Sequence, residues 1–245
     1  MSDIKLVLDD GRTYFRFSNT YAETIKTKLK EQYCSNNDID NMQVAITSSG
    51  MQAISSVMNV VMSNWGWSSN SCMVLGDEMY CDTPRAALHH SKFYTGNNMF
   101  IHRVKIDDND KLLNLFRYKL RDNKVLLMIE ACTNPNGNLF DFSIIKELKK
   151  LCKSLIVIVD ITWTPELNAI ELGADAIALS LTKHHSGSSC IMGAIISRRN
   201  PGIAEEVNQW FRLTGGHISP YDSSKLLSML SSFTERIDSA FNEAI

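Results

Sequence analysis

Leu155-Ile156-Val157-Ile158-Val159-Asp160 is an unbroken apolar run that closes on an acid. A run this short and this rich in β-branched residues predicts a strand buried on both faces, as in parallel sheets. The same signal recurs on either side. Gln43–Thr47, Cys72–Leu75, Phe100–Val104, Val125–Ile129, Ala176–Ser180 and Cys190–Ser197 also read as strands. Between them, helical spacing marks Ala22–Tyr33, with Ile25, Leu29 and Tyr33 on one face, and the segment after Gly50 that carries Ile54, Val57, Met58 and Val61. Asp110–Tyr118, Phe142–Cys152, Thr164–Leu172 and the chain from Glu205 onward read as helices too. Alternation of this kind predicts an α/β three-layer sandwich, a mostly parallel sheet covered by helices on both faces. Ligands of such sheets gather at the carboxyl ends of the strands.

At 245 residues the chain is sized for one domain, and 44% apolar with 21% charged residues fits a soluble globular protein. A formal net charge of -2 supplies no basic footprint for nucleic acid or for an anionic membrane, so neither is expected as a partner. The longest apolar runs are strand-length, and Met1-Ser2-Asp3-Ile4-Lys5 lacks a signal-peptide pattern, which points to the cytoplasm. Cys34, Cys72, Cys81, Cys132, Cys152 and Cys190 form no C-x-x-C pair, against both a disulfide framework and a zinc knuckle. The adjacent pairs His89-His90 and His184-His185 have no completing carboxylates, so no metal is expected.

Asp160 at a strand mouth and Ser180-Leu181-Thr182-Lys183-His184 soon after it are the two features an enzyme needs to hold pyridoxal phosphate. The carboxylate keeps the pyridine nitrogen protonated, and the lysine amine forms a Schiff base with the coenzyme aldehyde. Taken singly, Asp160 also reads as an N-cap and Lys183 as a solvated surface lysine; the pair in this order, with Ser180 and Thr182 beside it, carries the coenzyme reading. Ser48-Ser49-Gly50-Met51 is in outline a phosphate cradle at a helix N-terminus, and equally a glycine turn with a Ser N-cap. Ser180 and Thr182 are expected to offer hydroxyls to the same phosphate if the strand continues that far. Tyr80, after Gly76-Asp77-Glu78-Met79, can stack on a flat heterocycle or belong to a rim, and Asn134 can meet a ring substituent or simply form an Asn-Pro turn.

With these residues in place the chain resembles the pyridoxal-phosphate enzymes of cysteine and methionine metabolism, the cystathionine γ-synthase, γ-lyase and methionine γ-lyase group of fold type I. Ser48-Ser49-Gly50-Met51 matches the family's phosphate turn, and Gly76–Tyr80 the segment whose tyrosine stacks on the ring. Glu130 with Thr133-Asn134-Pro135 resembles its Glu-x-x-x-Asn-Pro segment, Val159-Asp160-Ile161-Thr162 its Val-Asp-Asn-Thr, and Ser180–Lys183 its Ser-x-Thr-Lys. Gly193 keeps a glycine of the next strand, and Ser219-Pro220-Tyr221-Asp222 is similar to the Ser-Pro-Phe-Asp before a long interdomain helix. Tyr14-Phe15-Arg16-Phe17-Ser18-Asn19 looks like the segment whose tyrosine and arginine reach the phosphate of a neighbouring subunit. The resemblance therefore implies pyridoxal phosphate as cofactor, held by Ser49, Gly50, Met51, Tyr80, Asn134, Asp160, Thr162, Ser180, Thr182 and Lys183, with Tyr14 and Arg16 from a partner in a homo-oligomer, a dimer or tetramer. Lys183, Asp160 and Tyr80 are the implied catalytic residues.

The resemblance also implies a division into an arm and helix over 1–40, a coenzyme domain over 41–215 and the start of an interdomain helix over 216–245, without the C-terminal domain that carries the arginine for the substrate carboxylate. Ile161 replaces an asparagine, and Ser188 and Cys190 stand where His-Ser-Asp is common. Three readings follow: a minimal enzyme acting at Cβ or Cγ of a sulfur-containing or related amino acid, half of a split enzyme completed by a separate chain, or a degenerate binding or regulatory module.

Overall fold

The computed structural model describes residues 19–34, 38–64, 66, 70–95 and 100–244. Seven strands form one sheet: β1 (Met42–Thr47), β2 (Ser71–Gly76), β3 (Phe100–Val104), β4 (Lys124–Glu130), β5 (Ser154–Asp160), β6 (Ala176–Ser180) and β7 (Gly193–Arg198). Their spatial order is β1-β7-β6-β5-β4-β2-β3. Strands β2 to β6 are parallel, and only β7 runs against its neighbours β1 and β6. The helices are α1 (Thr20–Tyr33), α2 (Gly50–Asn64), α3 (Thr83–Thr95), α4 (Asn109–Leu115), α5 (Ile145–Leu151), α6 (Ile203–Thr214), α7 (Pro220–Leu230) and α8 (Phe233–Ala244).

Side chains of a strand alternate between faces, so each apolar strand feeds two cores. In β5, Leu155, Val157 and Val159 join the core that takes Ile25, Leu29 and Tyr33 of α1, Leu112 of α4, Ile145 and Leu148 of α5 and Leu226 of α7. Ile156 and Ile158 face the other way, toward Ala53, Val57 and Val61 of α2, Ala87 of α3 and Val207 and Phe211 of α6. Each such side chain contributes about 1.5–3 kcal/mol by leaving water. A strand polar on one face could not sit between two helical layers, and the three-layer α/β sandwich follows.

Two stretches depart from the sequence reading. Thr164–Leu172 is a series of turns rather than a helix, with Thr164 N donating to Ile161 O and Leu167 N to Thr164 O. The carbonyl of Pro165, which a helix would offer to the residue four positions on, is taken instead by Tyr33 Oη at 2.5 Å and Gln32 Nε2 at 3.0 Å of α1. Conversely, α3, a helix the sequence reading did not mark, begins at Thr83. Pro84 stands in the first turn, where its missing N–H costs nothing.

Smaller shifts have local causes. Cys190–Met192 precede β7 because Ser186 Oγ holds both the carbonyl and the N–H of Cys190. The segment from Phe142 begins with a tight turn before α5, and α4 passes into a wider turn over Phe116–Leu120. The helical C-terminal stretch is three helices, broken first between the left-handed Gly215 and the Ser219 cap, whose hydroxyl accepts from Asp222 N, and again at Ser231-Ser232 between α7 and α8.

Candidate functional site

The carboxyl ends of β1, β6, β5 and β4 and the turn after β2 lie along one edge of the sheet, and the ladder puts specific residues in line. Thr47 pairs with Gly193, Gly193 with Ser180, Asp160 with Ala178 and Glu130 with Asp160. The Ser48–Met51 turn is folded down onto this row. A Cβ on Gly50 would lie 2.7 Å from Ser180 Cβ, and one on Gly193 would lie 2.5 Å from Ser49 O and 2.6 Å from Thr47 Oγ1. Only glycine permits either approach. Thr47 Oγ1 donates to Ser49 O, and Ser49 Oγ accepts from Gln52 N, which caps α2. The N–H groups of Gly50 and Met51, at the positive end of that helix, have no acceptor within it and suit a phosphate. G193A is expected to cost about 1–3 kcal/mol by pushing on the Ser49 carbonyl; an unchanged denaturation midpoint would show that the turn is not packed in this way.

Asp160 is half-buried, with Oδ1 accepting from Thr162 N at 2.8 Å. Thr162 Oγ1 in turn accepts from Ser180 N at 2.9 Å, so one threonine ties the acid to the end of β6. Burial pushes the Asp160 carboxyl above its usual range, while the Thr162 hydrogen bonds pull it back. A desolvated acid of this kind is suited to a cationic partner.

Lys183 is exposed, on a turn beyond β6, because the strand ends at Ser180. Thr182 therefore does not continue the strand alternation. Its Oγ1 donates to Met192 O at 3.1 Å and accepts from Met192 N at 3.0 Å, closing the turn against the start of β7. Ser186 N donates to Leu181 O and Ser188 N to Thr182 O within it.

The remaining wall centres on Glu130, an acid ending an apolar strand as Asp160 does, and one not among the residues that the resemblance implied would hold the coenzyme. It is 3% exposed; Oε1 accepts from Tyr80 N at 2.5 Å, and the buried Oε2 has no protein partner. Tyr80 itself is partly exposed, as a stacking face must be. Glu78 accepts from Thr133, Asn136 and Asn138, which lashes the Tyr80 turn to the half-buried Asn134 turn. Tyr14 and Arg16 lie outside the described residues. A separate groove of about 840 Å³ between α1, β1 and α6, lined by Lys30, Gln43 and Asn208 among others, contains none of the candidate residues.

Burial pushes the Glu130 carboxyl from 4.5 to about 7, the backbone donors pull against it and the Asp160 charge adds to the rise. A folded-state value above the unfolded one stabilises the protein fully below about pH 4.5, and that stabilisation is lost as pH rises through about 7. For the coenzyme-free protein, E130Q, which keeps an acceptor for Tyr80 N–H but no titrating proton, removes a loss on the order of 3 kcal/mol. Unfolding midpoints of the two proteins that stay parallel across this range would contradict the assignment.

The donor set fits pyridoxal phosphate: helix N–H groups and a serine for a phosphate, an acid for a ring nitrogen, and an amine on the following turn. Such a set on a sheet of this order defines a coenzyme-dependent α/β protein. The chain belongs to the Cys/Met metabolism PLP-dependent enzymes, whose sequence profile matches residues 9–245. Cystathionine beta-lyase of Schizosaccharomyces pombe is 28% identical over 204 residues, which is 82% of this chain and 49% of the relative. Among solved structures, metB from Corynebacterium glutamicum superposes with a TM-score of 0.75 at 20% identity, over 93% of this chain and 55% of that one. A putative O-acetylhomoserine (thiol)-lyase from Campylobacter jejuni, solved with N'-pyridoxyl-lysine-5'-monophosphate, gives 0.73 at 21% identity, over 91% and 58%. The chain thus spans about half the length of the curated relatives it matches. Among the described residues no helix is long and apolar enough to cross a membrane.

Proposed function

We propose that this chain carries the coenzyme site of an enzyme that performs elimination or replacement at Cβ or Cγ of a sulfur-containing or related amino acid. The observation that carries the reading is the linked set Asp160, Thr162, Ser180 and Gly50, in which a half-buried acid and a glycine-floored helix N-terminus are joined through two hydrogen bonds and one close backbone approach. When bound, pyridoxal phosphate supplies an electron sink for the substrate carbon. Gly50 and Met51 N–H, with Ser49 and Ser180, would bind its phosphate; Thr182 holds the lysine turn closed; Asp160 would keep a proton on the ring nitrogen. Tyr80 and Asn134 orient the ring. Lys183 would hold the coenzyme through its amine and would serve as the base for the substrate α-proton.

The test is a coenzyme titration read by visible absorbance, followed by cystathionine, homocysteine, cysteine and O-acyl-homoserine. Coloured protein whose band one of these perturbs supports the reading; protein that stays colourless with added coenzyme sinks it and favours a binding module. On this reading, in which the family resemblance assigns Tyr14 and Arg16 to the phosphate of a neighbouring subunit, the protein is at least a homodimer. Sedimentation of coenzyme-loaded protein as a monomer alone at working concentration would refute that.

A further inference from the structure

We infer that Arg236, on α8, is a positioning residue for Lys183: it clamps the lysine-bearing turn from below by its main chain. This rests on the reading of Lys183 above but reaches a helix that no candidate motif included. The guanidinium forks over the two carbonyls that follow Lys183, with Nε donating to His184 O at 2.8 Å and Nη2 to His185 O at 2.6 Å. Nη2 also donates to Met229 O at 2.7 Å, and Nη1 to Ser232 Oγ at 3.0 Å. Among the described residues no carboxylate pairs with Arg236, so its charge is spent on these neutral acceptors. Charge-assisted bonds of this kind are about twice as strong as neutral ones, and a planar fork fixes direction as well as distance.

The turn needs such a hold. Gly187 and Ser188 both take left-handed backbone conformations, with φ of 54° and 62°, and the serine is there at a cost that local sequence does not offset. A Cβ on Gly187 would lie 3.0 Å from Arg236 Cδ, so the glycine is also what lets the arginine reach the carbonyls. One turn earlier on the same helix, Phe233 stacks on the buried His185 ring at 4.5 Å between centroids, and His185 Nε2 lies 3.4 Å from Tyr33 Oη of α1. Burial, with the charges of His184 and Arg236 adding, holds the His185 pKa down to about 3, so the imidazole is a neutral wedge rather than a competing cation. Two α8 side chains, one polar and one aromatic, therefore grip consecutive residues beside the lysine.

The test combines hydrogen exchange of the coenzyme-free full chain with the rate at which the visible band forms on adding pyridoxal phosphate. In R236M, amide exchange within residues 183–189 is expected to accelerate about 10- to 100-fold while β5 amides keep their protection, and band formation to slow at least about 10-fold. R236K keeps the charge without the fork and is expected to recover part of both, and it reports on the clamp if R236M fails to fold. Unchanged exchange in 183–189 for either folded variant, or acceleration spread equally over the sheet, overturns the inference. If the unmodified protein binds no coenzyme, the functional reading fails, while the exchange measurement still decides whether Arg236 holds the turn.

Discussion

On the proposed function, K183A is expected to abolish the visible absorbance of the coenzyme-loaded protein and to lower turnover of an amino-acid substrate by about 10³-fold or more, since it would remove both the anchoring amine and the base. The same change is expected to leave the fold intact. Lys183 is exposed, and the bonds that close its turn come from Thr182, Ser186 and Ser188 and not from its own side chain. An unfolding midpoint within about 0.5 kcal/mol of the unmodified protein is therefore expected. A persistent band in folded K183A would mean that another lysine holds the coenzyme. This separation of function from stability is what distinguishes a site lysine from a structural one.

The second large effect is at Asp160. D160N keeps an oxygen for the Thr162 N–H but removes the negative charge that would face the ring nitrogen, and activity is expected to fall about 10²- to 10⁴-fold with coenzyme still bound through the phosphate turn. Its stability consequence has the opposite sign. Burial raises the Asp160 carboxyl above its unfolded-state value, so the stabilisation it gives is complete below that value and lost as pH rises through the folded one. Coenzyme-free D160N escapes this loss. It should be the more stable protein at about pH 8 and nearly equal to the unmodified one at about pH 3. Denaturant midpoints that fall for D160N at about pH 8 would mean that the acid is satisfied within the protein and is not held ready for a cation.

That an acid should be left desolvated at a strand end follows from the register. Glu130 and Asp160 pair across β4 and β5, and both are carboxylates emerging from apolar strands into a crowded edge. Glu130 finds the Tyr80 and Asn134 backbone donors and keeps one oxygen without a protein partner. Its motif was legible in the sequence, but its burial was not, because the alternation that marks a buried strand says nothing of how deep its last residue sits. Thr182 shows the same limit. Its hydroxyl pattern was plain, yet the strand stops at Ser180, and the Thr182 hydroxyl is taken by the backbone of Met192 beyond the ladder.

The apolar runs of β1 to β6 and the helical faces of α1 and α2 were readable residue by residue because burial on a sheet imposes a period of two and on a helix one of 3.6. Where local signals conflicted, they did not suffice. Pro165 lies in a segment with helical spacing, and the outcome was decided by the distant Tyr33 and Gln32, which claim its carbonyl.

Composition and periodicity by themselves determined the α/β sandwich and the strand ends where chemistry gathers, and the resemblance of the motifs at those ends pointed to the coenzyme family. Tertiary structure alone decided the environment of Glu130 and the grip of Arg236 on the lysine turn, which lies 52 residues away in the case of His184. The reason is physical: local sequence governs which backbone conformations are cheap, whereas a carboxyl's desolvation and a guanidinium's choice of carbonyls depend on what the rest of the chain brings against them.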